Sequence, residues 1–155
     1  MPVEMVNLLI KYEKAIARFY AVCANNYPEE EQFWSELAVE EELHVRILER
    51  VSEKVDNNTL FLNEARFKIN PLKMSIDYAE EVTVKAERGE LTLVSALSIA
   101  DAIEMTVIES AFYNIFEGDS VRLNKYLEQV QNESVAHRQK VREKLEKVRR
   151  ESNLS

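Results

Sequence analysis

The sequence predicts an all-α protein: four long helices in two antiparallel hairpins, joined by one long crossover that carries an extra helix. Three observations lead there. Only two glycines and three prolines occur in 155 residues, too few breakers for the many turns a sheet needs. Apolar residues recur three and four apart over long stretches, the spacing of one helix face. The few breakers fall between those stretches. With 46% hydrophobic and 31% charged residues, the chain has the balance of one folded domain with a real core.

The first helix is expected over about 4–24, stopping at "NNYP". The second runs over about 29–55, from Pro28 to "DNNT", and its acidic "EEE" start suits the positive end of a helix dipole. Residues 56–91 form the crossover. Within it, "NPLKMSIDYAEEVTVKAERG" predicts a helix over about 71–88, with Asn70 as cap, Pro71 at the first position and Gly89 as terminator. The third long helix is expected over about 92–117, and the fourth, capped by Ser120, over about 120–150. Short turns after the first and third imply hairpins, and a link of about 36 residues is long enough to span a bundle.

The net charge of -8 argues against a nucleic-acid partner, which calls for a basic face. The basic run "HRQKVREKLEKVRR" complements the negative end of the last helix dipole. No apolar run approaches the roughly twenty residues needed to cross a bilayer, so no membrane partner is expected. The start "MPVEMVNLL" lacks the marks of a secretory signal. Cys23 is the sole cysteine, so the chain has no internal disulfide and no cysteine cluster for a metal. A reducing, cytoplasmic setting is expected, and any redox chemistry would draw on an external electron donor.

Each long helix places an ionisable group mid-length on its apolar stripe. Glu13 stands among Val6, Leu9, Ile16 and Tyr20, and Glu41 and His44 among Trp34, Leu37, Ala38, Val45 and Leu48. Glu104 follows Leu97 and Ala100, and His137 lies between Val130 and Val141. One such residue means little in a chain with 28 acids, where a lone Glu-x-x-His is weak. Four groups at matching depth on helices that pack together mean more. Buried carboxylates facing one another take up protons, destabilise the fold, or share a multivalent cation. Carboxylate plus imidazole suits iron or manganese, with zinc possible. The hairpins also echo each other: Glu13 precedes His44 by 31 residues and Glu104 precedes His137 by 33.

The segments "YEKAIARFY", "FWSELAVEEELHVRIL", "LTLVSALSIADAIEMTVIESAFY" and "NESVAHRQKV" resemble the rubrerythrin branch of the ferritin-like di-iron proteins. The resemblance implies a ferritin-like four-helix bundle and a pair of iron ions. Its pattern is one glutamate on each of the first and third long helices and a Glu-x-x-His on each of the others. Carried across, it assigns Glu13, Glu41, His44, Glu104 and His137 as ligands. It matches Tyr20 to a tyrosine whose hydroxyl steadies a ligand carboxylate. Pairing into a homodimer is expected on the same ground. Rubrerythrins proper add a cysteine-ligated iron domain, and these residues carry no such cysteine set.

Two departures stand out. Ser134 occupies the place of the glutamate expected three residues before His137. Glu133 is the nearest substitute, about 40° from His137 around the helix against about 60° for position 134, so it could swing in as a ligand. Its counterpart Glu40 is expected to be a solvated neighbour. On the third long helix, Ala111 and Phe112 stand where a second tyrosine belongs, and Tyr113 should point away. Asp101 reads as a helix-surface aspartate. Tyr12, Phe33 and Trp34 read as core or interface packing.

Two functions are then open. One is a di-iron redox protein that reacts with peroxide or oxygen, or oxidises Fe(II). The alternative is a ferritin-like bundle whose metal site has degenerated, serving as a non-catalytic binding or assembly module; Ser134 favours it.

Overall fold

A computed structural model of the chain describes residues 2–56, 60–62, 69–110, 116–118 and 121–153. Among them are five α-helices: α1 (Pro2–Asn26), α2 (Glu31–Asp56), α3 (Ile69–Glu87), α4 (Leu93–Ser110) and α5 (Val121–Asn153). A 3-10 turn, Pro28–Glu30, leads into α2. Two three-residue strands, β1 (Leu60–Leu62) and β2 (Phe116–Gly118), pair antiparallel with Leu60 opposite Gly118. The architecture is all-α, as the scarcity of breakers implies. No helix among the described residues is long and apolar enough to cross a membrane.

The contacts define how the helices run. Tyr20 packs on Trp34 while Glu13 reaches His44, so α1 and α2 are antiparallel. Asp101 pairs with Arg138, and Ser98 with Arg149 further along, so α4 and α5 are antiparallel as well. Lys140 bonds Glu36 and His44 meets Glu133, which sets α2 antiparallel to α5. Tyr20 donates to Glu104, joining α1 to α4, and Tyr27, just after α1, donates to the carbonyl of Leu91, just before α4. Helix α3 packs mainly on α1 and also meets α4, with Arg18 bonding Glu87 at 2.8 Å and Asn26 the Ala86 carbonyl.

The apolar stripes meet inside. Val6, Leu9, Ile16, Trp34, Leu37, Leu48, Leu97, Ala100, Val130 and Val141 are all buried. At about 25 cal/mol per Å², each large aliphatic side chain so removed from water contributes roughly 1.5–3 kcal/mol.

Several boundaries differ from expectation, among them the start of α2 at Glu31 and the end of α5 at Asn153. Helix α1 continues to Asn26, and α3 begins at Ile69 rather than at Pro71. Pro71 therefore sits within the first turn, where its missing N–H has no helical partner to lose. The third long helix was expected to reach 117, yet Phe116–Gly118 is a strand. Its backbone groups bond to Leu60–Leu62 instead, and the run around Phe116 is rich in residues that fit a pleated surface. The cap expected at Ser120, and Ala111, Phe112 and Tyr113, lie outside the described residues.

Helix ends follow local chemistry. Thr92 Oγ1 accepts from the Ser95 backbone N–H at 3.1 Å, an N-cap for α4. At the end of α3, Gly89 adopts φ +70°. Its N–H bonds the Ala86 carbonyl, and the Glu90 N–H bonds that of Lys85, which together form a Schellman motif. A Cβ on Gly89 would meet nothing within 4 Å, so substitution there strains only the backbone. Gly89→Ala should therefore cost about 1 kcal/mol in urea unfolding, and Gly89→Asn less, since asparagine tolerates the left-handed region. Equal losses would show that contacts, not backbone conformation, dominate at that turn.

Candidate metal centre

Four helices each bring polar groups to one buried layer. Glu13 comes from α1, Glu41 and His44 from α2, Glu104 from α4 and His137 from α5, and each is at most 3% exposed. On α2 the spacing of three puts Glu41 and His44 on one face about a turn apart. Their ligand atoms fall into two groups, Glu13–Glu41–His44 and Glu41–Glu104–His137, in which all atoms lie within 4.8 Å of one another.

Glu41 belongs to both groups. Its Oε2 is 3.3 Å from His44 Nδ1, and its Oε1 is 3.2 Å from His137 Nδ1. Glu13 Oε2 lies 4.0 Å from His44 Nδ1, and Glu104 Oε1 lies 3.8 Å from His137 Nδ1. The imidazoles stack with centroids 5.6 Å apart and planes 20° from parallel. Both rings thus turn Nδ1 toward the carboxylates.

The outer nitrogens are also engaged. His44 Nε2 lies 2.7 Å from Glu133 Oε2, and His137 Nε2 faces Glu40 Oε2. Each histidine of one helix is met by a glutamate of the other. Glu133, considered as a replacement ligand, is not in either group; its remaining oxygen accepts from Gln129 at 2.8 Å. Glu40, expected to be merely solvated, holds an imidazole instead, because α5 packs beside it. Such carboxylates fix the orientation of a ligating ring and raise its basicity.

Tyr20 donates to Glu104 Oε1 at 2.6 Å, in the place the resemblance implies for it. Ser134 is 2% exposed, and its hydroxyl donates to the Val130 carbonyl at 3.0 Å, back into its own helix. Asp101 faces Arg138 and Arg142, away from the layer. Tyr12, expected as packing, is buried in the core; burial first, then the charges of Glu13, Glu104 and Glu41, push its phenol far up.

The electrostatics are those of a dry cluster of like charges. Burial raises Glu104, and the Glu41 charge adds to the effect. Burial works against ionised Glu41 too, but contacts with Glu13, His137 and His44 outweigh it and hold the carboxyl well below its usual range. For His137, burial opposes the charged ring and loses to Glu104 and Glu41, which push the imidazole up to about 10. His44 is raised in the same way, with Glu41 and Glu133 overcoming burial. Without metal, protons on the two rings compensate the carboxylates.

The donor set could hold a metal ion. It offers buried carboxylate oxygens and imidazole nitrogens with no thiolate, and Cys23 is in neither group. Among the described residues, buried Glu41 Oε2 and His44 Nδ1 form no hydrogen bond, which suits atoms that could share an ion. No family model matches the chain, and no curated protein or solved structure matches it.

A histidine raised from 6.5 to about 10 contributes stability that is fully present below 6.5 and is lost as pH rises through 10. The melting temperature of metal-free protein should therefore fall from neutral pH toward pH 10. The fall should be shallower in His137→Asn; an equally steep fall in the variant would place its source elsewhere.

Proposed function

We propose that this is a carboxylate-bridged two-metal redox protein of the rubrerythrin branch, with iron as the native metal and peroxide, oxygen or Fe(II) as substrate. The observation that carries the reading is Glu41, which presents one oxygen to each histidine at 3.3 and 3.2 Å. That placement suits a bridge between two ions. Glu13 and His44 would complete one position, Glu104 and His137 the other. The antiparallel neighbours α1, α2, α4 and α5, with α3 in the crossover, support a ferritin-like topology.

Bound iron would supply electrons for reducing an O–O bond. The chain's own groups do the rest. Tyr20 restrains the Glu104 carboxylate through its hydroxyl, while Glu133 and Glu40 keep the imidazoles turned inward. Buried Trp34, Leu37, Leu97 and Ile103 keep bulk water out, which strengthens every charge interaction within. Turnover draws electrons from a separate donor. Pairing of bundles into a homodimer belongs to the same reading.

Ser134 favours a second reading, a degenerate bundle that binds or assembles without catalysis. It removes one carboxylate from the α5 side, at the position equivalent to Glu41 on α2. Three carboxylates leave two divalent ions incompletely neutralised, so the second ion should bind more weakly than the first.

Anaerobic Fe(II) titration should give up to two ions per chain with a raised melting temperature, since a ligand that binds only the folded state stabilises it. Glu41→Ala should abolish both sites in one step. No thermal shift with iron, manganese or zinc would favour the degenerate bundle. Ser134→Glu should tighten the weaker ion by about tenfold or more, roughly 1.4 kcal/mol, while lowering the stability of metal-free protein by adding another buried charge. Unchanged affinity would remove Ser134 from the account of the site.

A further inference from the structure

The hydroxyl that meets Glu104 is the inner end of a chain of aromatic rings. Tyr20 is fully buried and lies 5.8 Å, centroid to centroid, from Trp34. Trp34, also fully buried, lies 6.4 Å from Tyr27. Tyr27 is only partly buried, at the turn between α1 and α2, and its hydroxyl donates to the Leu91 carbonyl at 2.7 Å. The interplanar angles along the chain are 39° and 36°. Phe19 and Phe33 flank Trp34 nearly edge-on, at 6.3 and 5.3 Å.

Trp34 has a second peculiarity. Its indole N–H is buried and has no hydrogen-bond partner among the described residues, although buried tryptophans usually find one. For packing alone this is a loss. For one-electron transfer it is useful: a ring that gives up an electron with no base at its N–H keeps its proton, so the electron returns readily. Tyr20 has its proton acceptor in Glu104 at 2.6 Å, and Tyr27, only partly buried, would exchange its bond to the Leu91 carbonyl for a proton transfer to solvent. Phenylalanines are far harder to oxidise, so Phe19 and Phe33 confine the path.

We propose that Tyr20, Trp34 and Tyr27 form a one-electron relay from the metal centre to the surface at the α1–α2 turn, a proposal that rests on the metal reading above. It operates when peroxide meets a centre holding only one ferrous ion, a state that the missing carboxylate at Ser134 makes accessible. Reduction of peroxide to two waters needs two electrons and two protons. One electron comes from the ferrous ion, which becomes ferric. The other comes from Tyr27 by way of Trp34 and Tyr20; Tyr27 releases its phenolic proton to solvent and is left as a neutral tyrosyl radical. The second proton also comes from solvent. Only an oxidant of peroxide strength can draw electrons from these rings, so the path does not serve a low-potential donor.

The test uses the full chain loaded anaerobically with one Fe(II), mixed with one equivalent of hydrogen peroxide and frozen at intervals for electron paramagnetic resonance. The parent should show ferric iron together with a tyrosyl radical. Tyr27→Phe should replace that signal with a tryptophan-type radical. Tyr20→Phe, which removes only a hydroxyl, should lose the radical at Trp34 and Tyr27 while ferric iron still forms. Ferric iron without any radical in the parent, or a Tyr27 radical undiminished in Tyr20→Phe, overturns the relay and leaves the metal reading standing. Metal analysis of the same samples separates the other case: a chain that retains no iron overturns the metal reading, and the relay falls with it.

Discussion

Three carboxylates and two imidazoles share one dry layer, and the molecule is arranged around compensating their charge. Ionised carboxylates held this close in a low-dielectric interior repel strongly. Metal-free protein meets the problem with protons, drawn onto His137 and His44 against the cost of burying charged rings. A bound cation would displace those protons and take over their role, which couples metal affinity to pH and to folding together. The long helices follow from the same need. Each delivers one polar face at mid-length and seals it above and below with apolar turns.

The layer is not uniform along the bundle. Toward the α1–α2 turn it is backed by the aromatic group of Phe19, Tyr20, Tyr27, Phe33 and Trp34. Outside that group, Lys140 and Lys144 stand over Phe33 and bond Glu36 and Glu30, stitching α5 to the start of α2. These pairs are partly exposed, and each such bridge contributes little on its own. At the opposite end, the β1–β2 ribbon links the segment after α2 to the segment after α4.

Much of this was legible in the chain. Glu13, Glu41, His44, Glu104 and His137 stood out because a charge on an apolar stripe contradicts the logic of the stripe, and the structure brings all five together. The partners of the outer ring nitrogens were not legible. Glu40 sits about 100° from Glu41 around its helix, so the same stripe logic sends it to solvent; only the placement of α5 gives it His137. Glu133 was singled out for its nearness to His137, yet it serves the histidine of the other helix. The strand at Phe116–Gly118 was missed because its partner is Leu60–Leu62, far off in sequence, and a helical repeat carries no record of so distant a pairing.

The exchange of glutamates between α2 and α5 has a consequence for how the halves find each other. Neither hairpin owns the group that steers its own imidazole. Were one helix to slide past the other by a single turn, about 5.4 Å, both rings would lose their anchors at once. The alignment of the two halves is therefore verified at two separate points, and a misaligned collapse finds no halfway refuge.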